Sequence, residues 1–281
     1  MAGVPKVAAI NDLSGFGRCS LTVSVPILSA MGYQVCPMPT ALLSAHTGYS
    51  GAQMWDFTAN MDAYLGHWEQ LGLDFKAVFT GYLGNDAQVE LLMPFLQQQK
   101  ERGALCLVDP AMADHGELYA SCTPELVKEM RRLVALADVT TPNVTEACLL
   151  TDTAYADIVM VDGKTSCKRL QAVGEQILAL GCGVVVVTGV HSMPDRLENW
   201  VFRRGQEPLT VSVARVAKNF AGTGDVFSSV LCGELLRGTA LPLAVEKTAL
   251  FVQRVTEYTA RADTPLQDGI IFEPFLAQLQ G

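Results

Sequence analysis

The chain has 281 residues, of which 49% are hydrophobic and 17% are charged, and its formal net charge is −9. A composition of this kind allows a large buried core and excludes a disordered protein. The charge argues against a general nucleic-acid-binding protein, because such proteins carry a basic face and no run of Lys or Arg here exceeds two residues. An anionic ligand would therefore need a local binding site.

No linker or low-complexity segment divides the chain, so we expect residues 1–281 to form a single domain. The apolar segment near the amino terminus is too short for a signal peptide and no apolar run reaches the length of a membrane span, so we expect a cytoplasmic protein without a membrane partner. The eight cysteines are at least 15 residues apart, which argues against a metal site with cysteine ligands and predicts buried, reduced thiols.

Short apolar runs alternate with longer segments of helical periodicity, which predicts a doubly wound α/β fold with a parallel sheet. The predicted strands are residues 6–10, 34–38, 76–80, 104–108, 138–140 and 183–188. The predicted helices are residues 20–31, 52–71, 87–102, 124–135, 145–150, 166–180, 223–237 and 243–262. After residue 188, apolar and polar residues alternate on both sides of a turn at 204–208, which predicts an antiparallel hairpin at one edge of the sheet.

Ligands of parallel sheets bind at the carboxyl ends of the strands, because the loops there lead into helix amino termini. In this chain those loops are rich in acids, hydroxyls and glycines. They are residues 11–17, 46–48, 81–84, 109–110, 141–146, 188–189 and 219–225. We therefore expect a polar site at that edge of the sheet.

The strongest local motif is Gly222-Thr-Gly-Asp225, which opens an amphipathic helix. Its glycines permit a tight turn, and the backbone amides, with the positive end of the helix behind them, form an anion hole. Because Asp225 lies in the first turn, we expect the helix to favour its ionised form. A carboxylate beside an anion hole suits phosphoryl transfer, since it can accept the proton of an attacking hydroxyl. The alternative is an aspartate that only caps the helix.

Two further acidic motifs follow predicted strands. Asp109 precedes a proline, and Asn143 and Glu146 are three residues apart in Thr141-Pro-Asn-Val-Thr-Glu146. Mg²⁺ prefers oxygen ligands and keeps several waters, so acids close to bound phosphates suit it. The alternative is a capping box, in which Asn143 and Glu146 only begin a helix.

Other nucleotide-binding motifs are missing from the sequence. The absence of a Gly-x-x-x-x-Gly-Lys-Ser/Thr loop argues against a P-loop NTPase. The chain also lacks the glycine loop and the His-Arg-Asp sequence of protein kinases. Residues 11–17 lack the third glycine of a dinucleotide-binding fingerprint.

Together these motifs resemble the ribokinase-like superfamily and, within it, the pyridoxal kinases. Gly222-Thr-Gly-Asp225 resembles the superfamily signature, and Thr141-Pro-Asn-Val-Thr-Glu146 is similar to its Asn-x-x-Glu motif. Val108-Asp-Pro-Ala-Met-Ala-Asp114 resembles the Asp-Pro-Val-Met-Gly-Asp stretch of pyridoxal kinases. His46-Thr-Gly-Tyr49 and Thr80-Gly-Tyr-Leu-Gly84 are similar to segments that line their vitamin B6 pocket. The resemblance spans residues 6 to about 260.

The resemblance implies a three-layer α/β/α fold and ATP-dependent phosphorylation of the 5′-hydroxymethyl group of pyridoxal, pyridoxamine or pyridoxine. The catalytic residues that it implies are Asp225 as the base and Gly222, Thr223 and Gly224 as the anion hole. The implied nucleotide site comprises Asp109, Asn143, Glu146, Thr188, Thr223 and Gly224, with Mg²⁺ held through water by Asp109 and Glu146. The implied substrate site comprises Asp12, Ser14, Thr47, Tyr82 and Asp225.

One position departs from the family pattern. Many pyridoxal kinases carry a serine near residue 12, where this chain has Asp12, so that Asp12 or Ser14 could take over the polar contact. The departure leaves the preferred vitamer open and keeps the related hydroxymethylpyrimidine kinases as an alternative. A second alternative is a sensor that binds a vitamer or a nucleotide without turnover. The resemblance also implies a homodimer and allows a monovalent cation requirement.

Overall fold

The computed structural model describes residues 3–280 and contains a nine-stranded sheet between two layers of helices. Two short strands, β6 and β7, form a separate antiparallel pair. The strands are β1 (Lys6–Ser14), β2 (Gln34–Leu43), β3 (Met54–Asp56), β4 (Ala77–Thr80), β5 (Leu105–Val108), β6 (Ala113–Asp114), β7 (Glu117–Leu118), β8 (Val139–Thr140), β9 (Val184–Val190), β10 (Arg196–Arg203) and β11 (Leu209–Ala214). This arrangement confirms the predicted fold class.

The order of strands in the main sheet is β11-β10-β9-β8-β5-β4-β1-β2-β3. The strands from β9 to β2 in this order are parallel, and β10 and β11 form the predicted antiparallel hairpin at one edge. The antiparallel strand β3 at the other edge was wrongly predicted as the start of a helix over residues 52–71, because its three residues are too few to show a strand periodicity and only the pairing with β2 defines it. Both edges of the parallel sheet are therefore antiparallel.

Most helices begin and end close to the predicted positions, but the helix predicted over residues 52–71 begins only at Thr58, because residues 54–56 form β3. The helices are α1 (Leu21–Ala30), α2 (Thr58–Gln70), α3 (Asp86–Glu101), α4 (Pro124–Leu136), α5 (Val144–Leu150), α6 (Tyr155–Ile158), α7 (Cys167–Leu180), α8 (Thr223–Leu236) and α9 (Leu241–Arg261). In α4, Thr123 caps the first turn, Pro124 occupies a position that needs no amide donor, and the buried face repeats at helical spacing. The helix α6 was not predicted, because it is a single turn.

The sheet separates two hydrophobic cores. Helices α2 to α7 contribute to one core, in which Phe75 and Leu92 are buried. Helices α1, α8 and α9 contribute to the other core, where Val230 and Val255 are buried. The inner parallel strands bury side chains on both faces, which explains why they read as continuous apolar runs.

Strand β1 is longer than the sequence predicted. It continues past residue 10 and pairs with β2 as far as Ser14, with an irregularity between Asn11 and Leu13. Asp12 and Ser14 therefore lie on a strand, whereas the sequence placed them in a loop. In a sequence, the polar end of a strand has the composition of a loop, and only the pairing with β2 distinguishes a strand from a loop here.

Within residues 3–280, no helix combines the length and the hydropathy needed to cross a membrane. None of the eight cysteines forms a disulfide, and five of them are buried: Cys106, Cys122, Cys148, Cys182 and Cys232. Cys167 is exposed, so the prediction of buried thiols holds for most of the cysteines and not for this one.

Candidate active site

A cavity of about 650 Å³ opens at the carboxyl ends of the parallel strands. Residues at or after the ends of β1, β4, β5, β8 and β9 line it, together with the first turn of α8. Eleven of the twelve predicted site residues line this cavity: Asp12, Thr47, Tyr82, Asp109, Asn143, Glu146, Thr188, Gly222, Thr223, Gly224 and Asp225. The fold thus brings together motifs that are far apart in the sequence.

Ser14 is the predicted site residue that does not line the cavity. It is fully buried, and its hydroxyl donates a hydrogen bond of 3.0 Å to Oδ2 of Asp12. The hydroxyl of Ser20 donates to the other oxygen, Oδ1. Ser14 therefore orients Asp12, and Asp12 is the residue that faces the cavity.

The predicted anion hole begins at Gly222, which has an unusual backbone conformation. This residue precedes α8 with φ of 75°, in the left-handed region that favours glycine. A Cβ atom at this position would lie 2.0 Å from the carbonyl oxygen of Arg18. The turn that begins α8 beside the cavity is therefore accessible only to glycine.

Asp225 is the third residue of α8 and accepts a hydrogen bond of 3.3 Å from Nδ2 of Asn11. Burial raises its pKa to about 7, and the nearby Asp109 and Asp12 carboxylates add to the increase. Hydrogen bonds from the backbone of Ser20 and from Asn11 oppose the increase. The prediction that the helix would favour the ionised form is wrong, because desolvation outweighs the helix end and its hydrogen bonds.

Asn11 was not predicted as a site residue, although it connects three parts of the site. Its side-chain oxygen accepts hydrogen bonds from the backbone amides of Tyr82 (2.8 Å) and Asp12 (3.0 Å), while its nitrogen donates to Asp225. The residue is 1% exposed. Nothing in the sequence distinguishes Asn11 from other polar residues at strand ends, so sequence reasoning had no signal for it.

Ser228 is a second site residue that the sequence analysis missed. Its hydroxyl donates a hydrogen bond of 2.6 Å to Oδ2 of Asp109 and lies 2.9 Å from Oγ1 of Thr141. Burial raises the pKa of Asp109 to about 6, and the bond from Ser228 opposes this change. A signal was available, because Ser228 follows Asp225 by three residues, which places both side chains on one side of the helix.

Asn143 and Glu146 form the capping box that was the alternative explanation for their spacing. Oδ1 of Asn143 accepts from the Glu146 amide (2.9 Å), and Oε2 of Glu146 accepts from the Asn143 amide (2.8 Å). Nδ2 of Asn143 also donates to the carbonyl of Ala113. Both residues nevertheless line the cavity, so the cap also holds the Glu146 carboxylate at the site.

Asp109 and Glu146 are the residues that could hold a metal ion. Within residues 3–280, no three His, Cys, Asp or Glu side chains are arranged as a closed metal site. Burial, followed by the charge of Asp109, raises the pKa of Glu146 well above its usual value. Two buried carboxylates that repel each other beside an open cavity fit a Mg²⁺ ion that takes its other ligands from water and phosphate.

The cavity has two ends, defined by the order of the strands. Asp12 on β1 and Tyr82 after β4 lie at one end, where the Tyr82 hydroxyl donates a hydrogen bond of 2.7 Å to Ser121. Thr188 on β9 lies at the other end, and its amide donates to the carbonyl of Pro142 beside Asn143. Asp225 lies on α8 between these ends, so two ligands can meet at its carboxylate.

Comparison with known proteins identifies relatives that match most of the chain. The profile of the phosphomethylpyrimidine kinase family matches residues 67–267. A Bacteroides thetaiotaomicron protein assigned as a phosphomethylpyrimidine kinase, whose crystal structure contains pyridoxal, is 36% identical, with 99% of this chain and 96% of that chain covered and a TM-score of 0.91. The crystal structure of pyridoxal kinase from Lactobacillus plantarum is 27% identical, with 99% and 97% covered and a TM-score of 0.88.

A third relative carries a different name. The hydroxymethylpyrimidine/phosphomethylpyrimidine kinase of Haemophilus influenzae is 31% identical over 193 residues, which cover 67% of this chain and 65% of that protein. The family profile covers well over half of the chain, and the similar structures match nearly all of it. The chain therefore belongs to the phosphomethylpyrimidine kinase family and has the ribokinase-like fold of the pyridoxal kinases.

Proposed function

We propose that the protein phosphorylates the 5′-hydroxymethyl group of a vitamin B6 vitamer with ATP. The observation that carries this proposal is the position of Asp225, which faces a cavity shared with the anion hole of Gly222 and with two buried carboxylates, Asp109 and Glu146. The similarity to a pyridoxal kinase and to a protein crystallised with pyridoxal supports the choice of acceptor.

In the proposed reaction, Asp225 accepts the proton of the acceptor hydroxyl as its oxygen attacks the γ-phosphorus of ATP. The new bond joins that oxygen to phosphorus, and the bond to the β-phosphate oxygen breaks to release ADP. A base with a pKa of about 7 is well matched to neutral pH, because it is partly ionised and still basic enough to take a proton. Asn11 holds the carboxylate towards the acceptor end of the cavity.

The remaining residues position the nucleotide and stabilise charge. The amides of Gly222, Thr223 and Gly224 stabilise the transferring phosphoryl group, and Thr188 and Asn143 lie where the nucleotide binds. Asp109 and Glu146 would hold Mg²⁺ through water, and this ion supplies neutralisation of the phosphate charges.

At the acceptor end, Tyr82 and Thr47 contact the pyridine ring or its substituents, and Asp12 supplies a polar contact. The homodimer, the monovalent cation requirement and the cytoplasmic location stay predictions.

Phosphoryl transfer between the two ends of the cavity relies mainly on positioning, which the hydrogen bonds of Asn11 and Ser228 provide.

Hydroxymethylpyrimidine is a second candidate acceptor. The family profile and the Haemophilus influenzae relative favour it. Its hydroxymethyl group on a heteroaromatic ring would meet Asp225 in the same way, so the mechanism is unchanged. The difference between the candidates lies in the ring and its substituents.

A coupled ADP-release assay with Mg-ATP tests the proposal, with pyridoxal, pyridoxamine, pyridoxine and hydroxymethylpyrimidine supplied separately. We expect turnover with at least one B6 vitamer and a loss of roughly 10²- to 10⁴-fold in Asp225→Asn. Asp62→Asn, which removes an exposed carboxylate on α2, is the matched control and should keep full activity. Turnover of hydroxymethylpyrimidine alone would show that this compound, and not a B6 vitamer, is the acceptor. Binding of a vitamer without ADP release would indicate a sensor that binds without turnover.

A further inference from the structure

Two acidic side chains line the part of the cavity that would hold the acceptor, and neither has a cationic partner in contact with it. Asp12 lies at the acceptor end and Asp225 lies between the two ends, and neither forms an ion pair within residues 3–280. Asp12 is 6% exposed, and its oxygens are held by the hydroxyls of Ser14 and Ser20. A buried carboxylate held only by neutral donors keeps a strong preference for a cation.

His46 is the histidine at this end of the cavity, and both of its ring nitrogens contact the backbone. Nδ1 accepts a hydrogen bond of 3.1 Å from the amide of Gly48. Nε2 lies 2.5 Å from the carbonyl oxygen of Gln267. The ring therefore forms no ion pair with Asp12 within the described residues.

The cationic side chains that line the cavity belong to the nucleotide end. Arg215 directly follows β11, and its amide donates to the carbonyl of Asp195. Lys218 lies in the loop before α8, with Nζ 3.3 Å from the carbonyl of Ala260. Four strands of the sheet order separate β1 from β10, and five separate it from β11, so these cations serve the phosphate-bearing ligand.

We propose that Asp12 is the counter-ion of a positively charged acceptor, and that it pairs with a protonated nitrogen on the acceptor ring or on its amine. The inference rests on the proposed function and restricts its acceptor to a molecule with a positively charged ring or amine nitrogen. The same negative charge repels an acceptor that already carries a phosphate group. The protein then transfers one phosphoryl group to a basic heteroaromatic alcohol and does not phosphorylate a phosphate ester.

The test compares three acceptors with wild-type protein, Asp12→Asn and the control Asp62→Asn. The acceptors are pyridoxine, its analogue in which the ring nitrogen is replaced by carbon, and hydroxymethylpyrimidine phosphate. A hydrogen bond to a charged group contributes roughly 10- to 100-fold in affinity. We therefore expect wild-type KM for the carbon analogue to exceed that for pyridoxine by about this factor.

Asp12→Asn should raise KM for pyridoxine by about the same 10- to 100-fold and leave KM for the carbon analogue and for Mg-ATP nearly unchanged. Asp62→Asn should change none of these values. Hydroxymethylpyrimidine phosphate should give no ADP release above background. The proposal would be overturned if Asp12→Asn raised KM equally for pyridoxine and the carbon analogue, or if it changed only KM for Mg-ATP. Turnover of hydroxymethylpyrimidine phosphate by the wild type at the rate of pyridoxine would also overturn it.

Calorimetric binding without ATP separates this proposal from the proposed function. If the wild-type protein binds pyridoxine more tightly than the carbon analogue and Asp12→Asn removes the difference, Asp12 is the counter-ion even if no acceptor is phosphorylated. If the acceptors are phosphorylated but bind equally tightly, the kinase assignment stands and the role of Asp12 is wrong.

Discussion

Gly222 and Gly224 are two residues apart, yet they differ in what surrounds them. A Cβ atom on Gly222 would collide with the carbonyl of Arg18, whereas a Cβ atom on Gly224 would meet no atom within 4 Å. Gly224 is exposed and lines the cavity. The fold therefore requires the first glycine, and only a ligand in the cavity would require the second.

This difference predicts opposite behaviour of the two alanine variants. Gly222→Ala should lower the free energy of unfolding by about 1–3 kcal/mol, because of the clash and the positive φ. Gly224→Ala should fold with wild-type stability or better, since alanine favours helices, but should lose roughly 10²-fold in kcat/KM because its methyl group enters the phosphate site. Urea unfolding and ADP release measure the two effects, and normal activity of Gly224→Ala would contradict the anion-hole assignment.

Ser228 and Ser229 offer another matched pair. Ser228 donates to Asp109, whereas the buried hydroxyl of Ser229 has no hydrogen-bond partner within residues 3–280. Ser228→Ala removes the bond that opposes the raised pKa of Asp109, so the Mg²⁺ concentration for half-maximal activity should rise about 10-fold. Ser229→Ala should leave this concentration unchanged. If both variants behave alike, the bond to Asp109 does not act on the metal.

At the scale of elements, helix caps carry both stability and site geometry. Thr123 caps α4 by accepting from the amide of Leu126 (3.2 Å), and no residue of that helix lines the cavity. Asn143 caps α5 and at the same time fixes Glu146, which faces the cavity. The same local interaction is structural at one helix and part of the site at the other.

We expect Thr123→Ala to lower the free energy of unfolding by about 1 kcal/mol without changing kcat/KM. Asn143→Ala should cost at least as much stability, because it also loses the bond to Ala113, and should lower activity by releasing Glu146. Chemical denaturation and saturation kinetics with varied Mg²⁺ check both variants. An unchanged Mg²⁺ dependence in Asn143→Ala would argue that the capping box has no part in metal binding.

At the scale of the whole molecule, the cavity is a cost to stability. Burial raises the pKa values of four carboxyl groups around it, Asp12, Asp109, Glu146 and Asp225. A raised pKa means that the folded state binds more protons than the unfolded state, so the free energy of unfolding falls as the pH rises through this range. The buried carboxyl groups of the site therefore lower the free energy of unfolding at neutral pH, and the two hydrophobic cores compensate for this loss.

Asp225 allows a direct measurement, since its pKa rises from 3.8 to about 7. Without nucleotide or Mg²⁺, Asp225→Asn and the wild type should be similarly stable near pH 3, which is below both pKa values, because the carboxyl is then mostly protonated in the folded and in the unfolded state. As the pH rises to about 8 the wild type should lose stability relative to the variant, by about 1–3 kcal/mol. Urea titrations across this range check the prediction, and a constant difference would show that the pKa of Asp225 is not raised.

The sequence by itself determined the fold class, because apolar runs and turn residues are local patterns, and eleven of the twelve site residues predicted from its motifs line the cavity. Continuous apolar runs such as residues 104–108 predict inner parallel strands, and Gly222-Thr-Gly-Asp225 marks a helix start whatever surrounds it. The resemblance to a family then related these motifs to one another. Boundaries were less well predicted where polar residues continue a strand, as at Asp12.

Only the tertiary structure decided how the residues act on one another. Asn11 and Asp225 are 214 residues apart in the sequence. They become hydrogen-bonded because the first turn of α8 lies beside the carboxyl ends of the parallel strands, near the end of β1. The pKa of Asp225 depends on burial and on carboxylates from other strands, so no local pattern could reveal its direction. Hydrogen bonding, desolvation and Coulomb interactions fall off with distance in space, and the sequence does not contain those distances until the chain has folded.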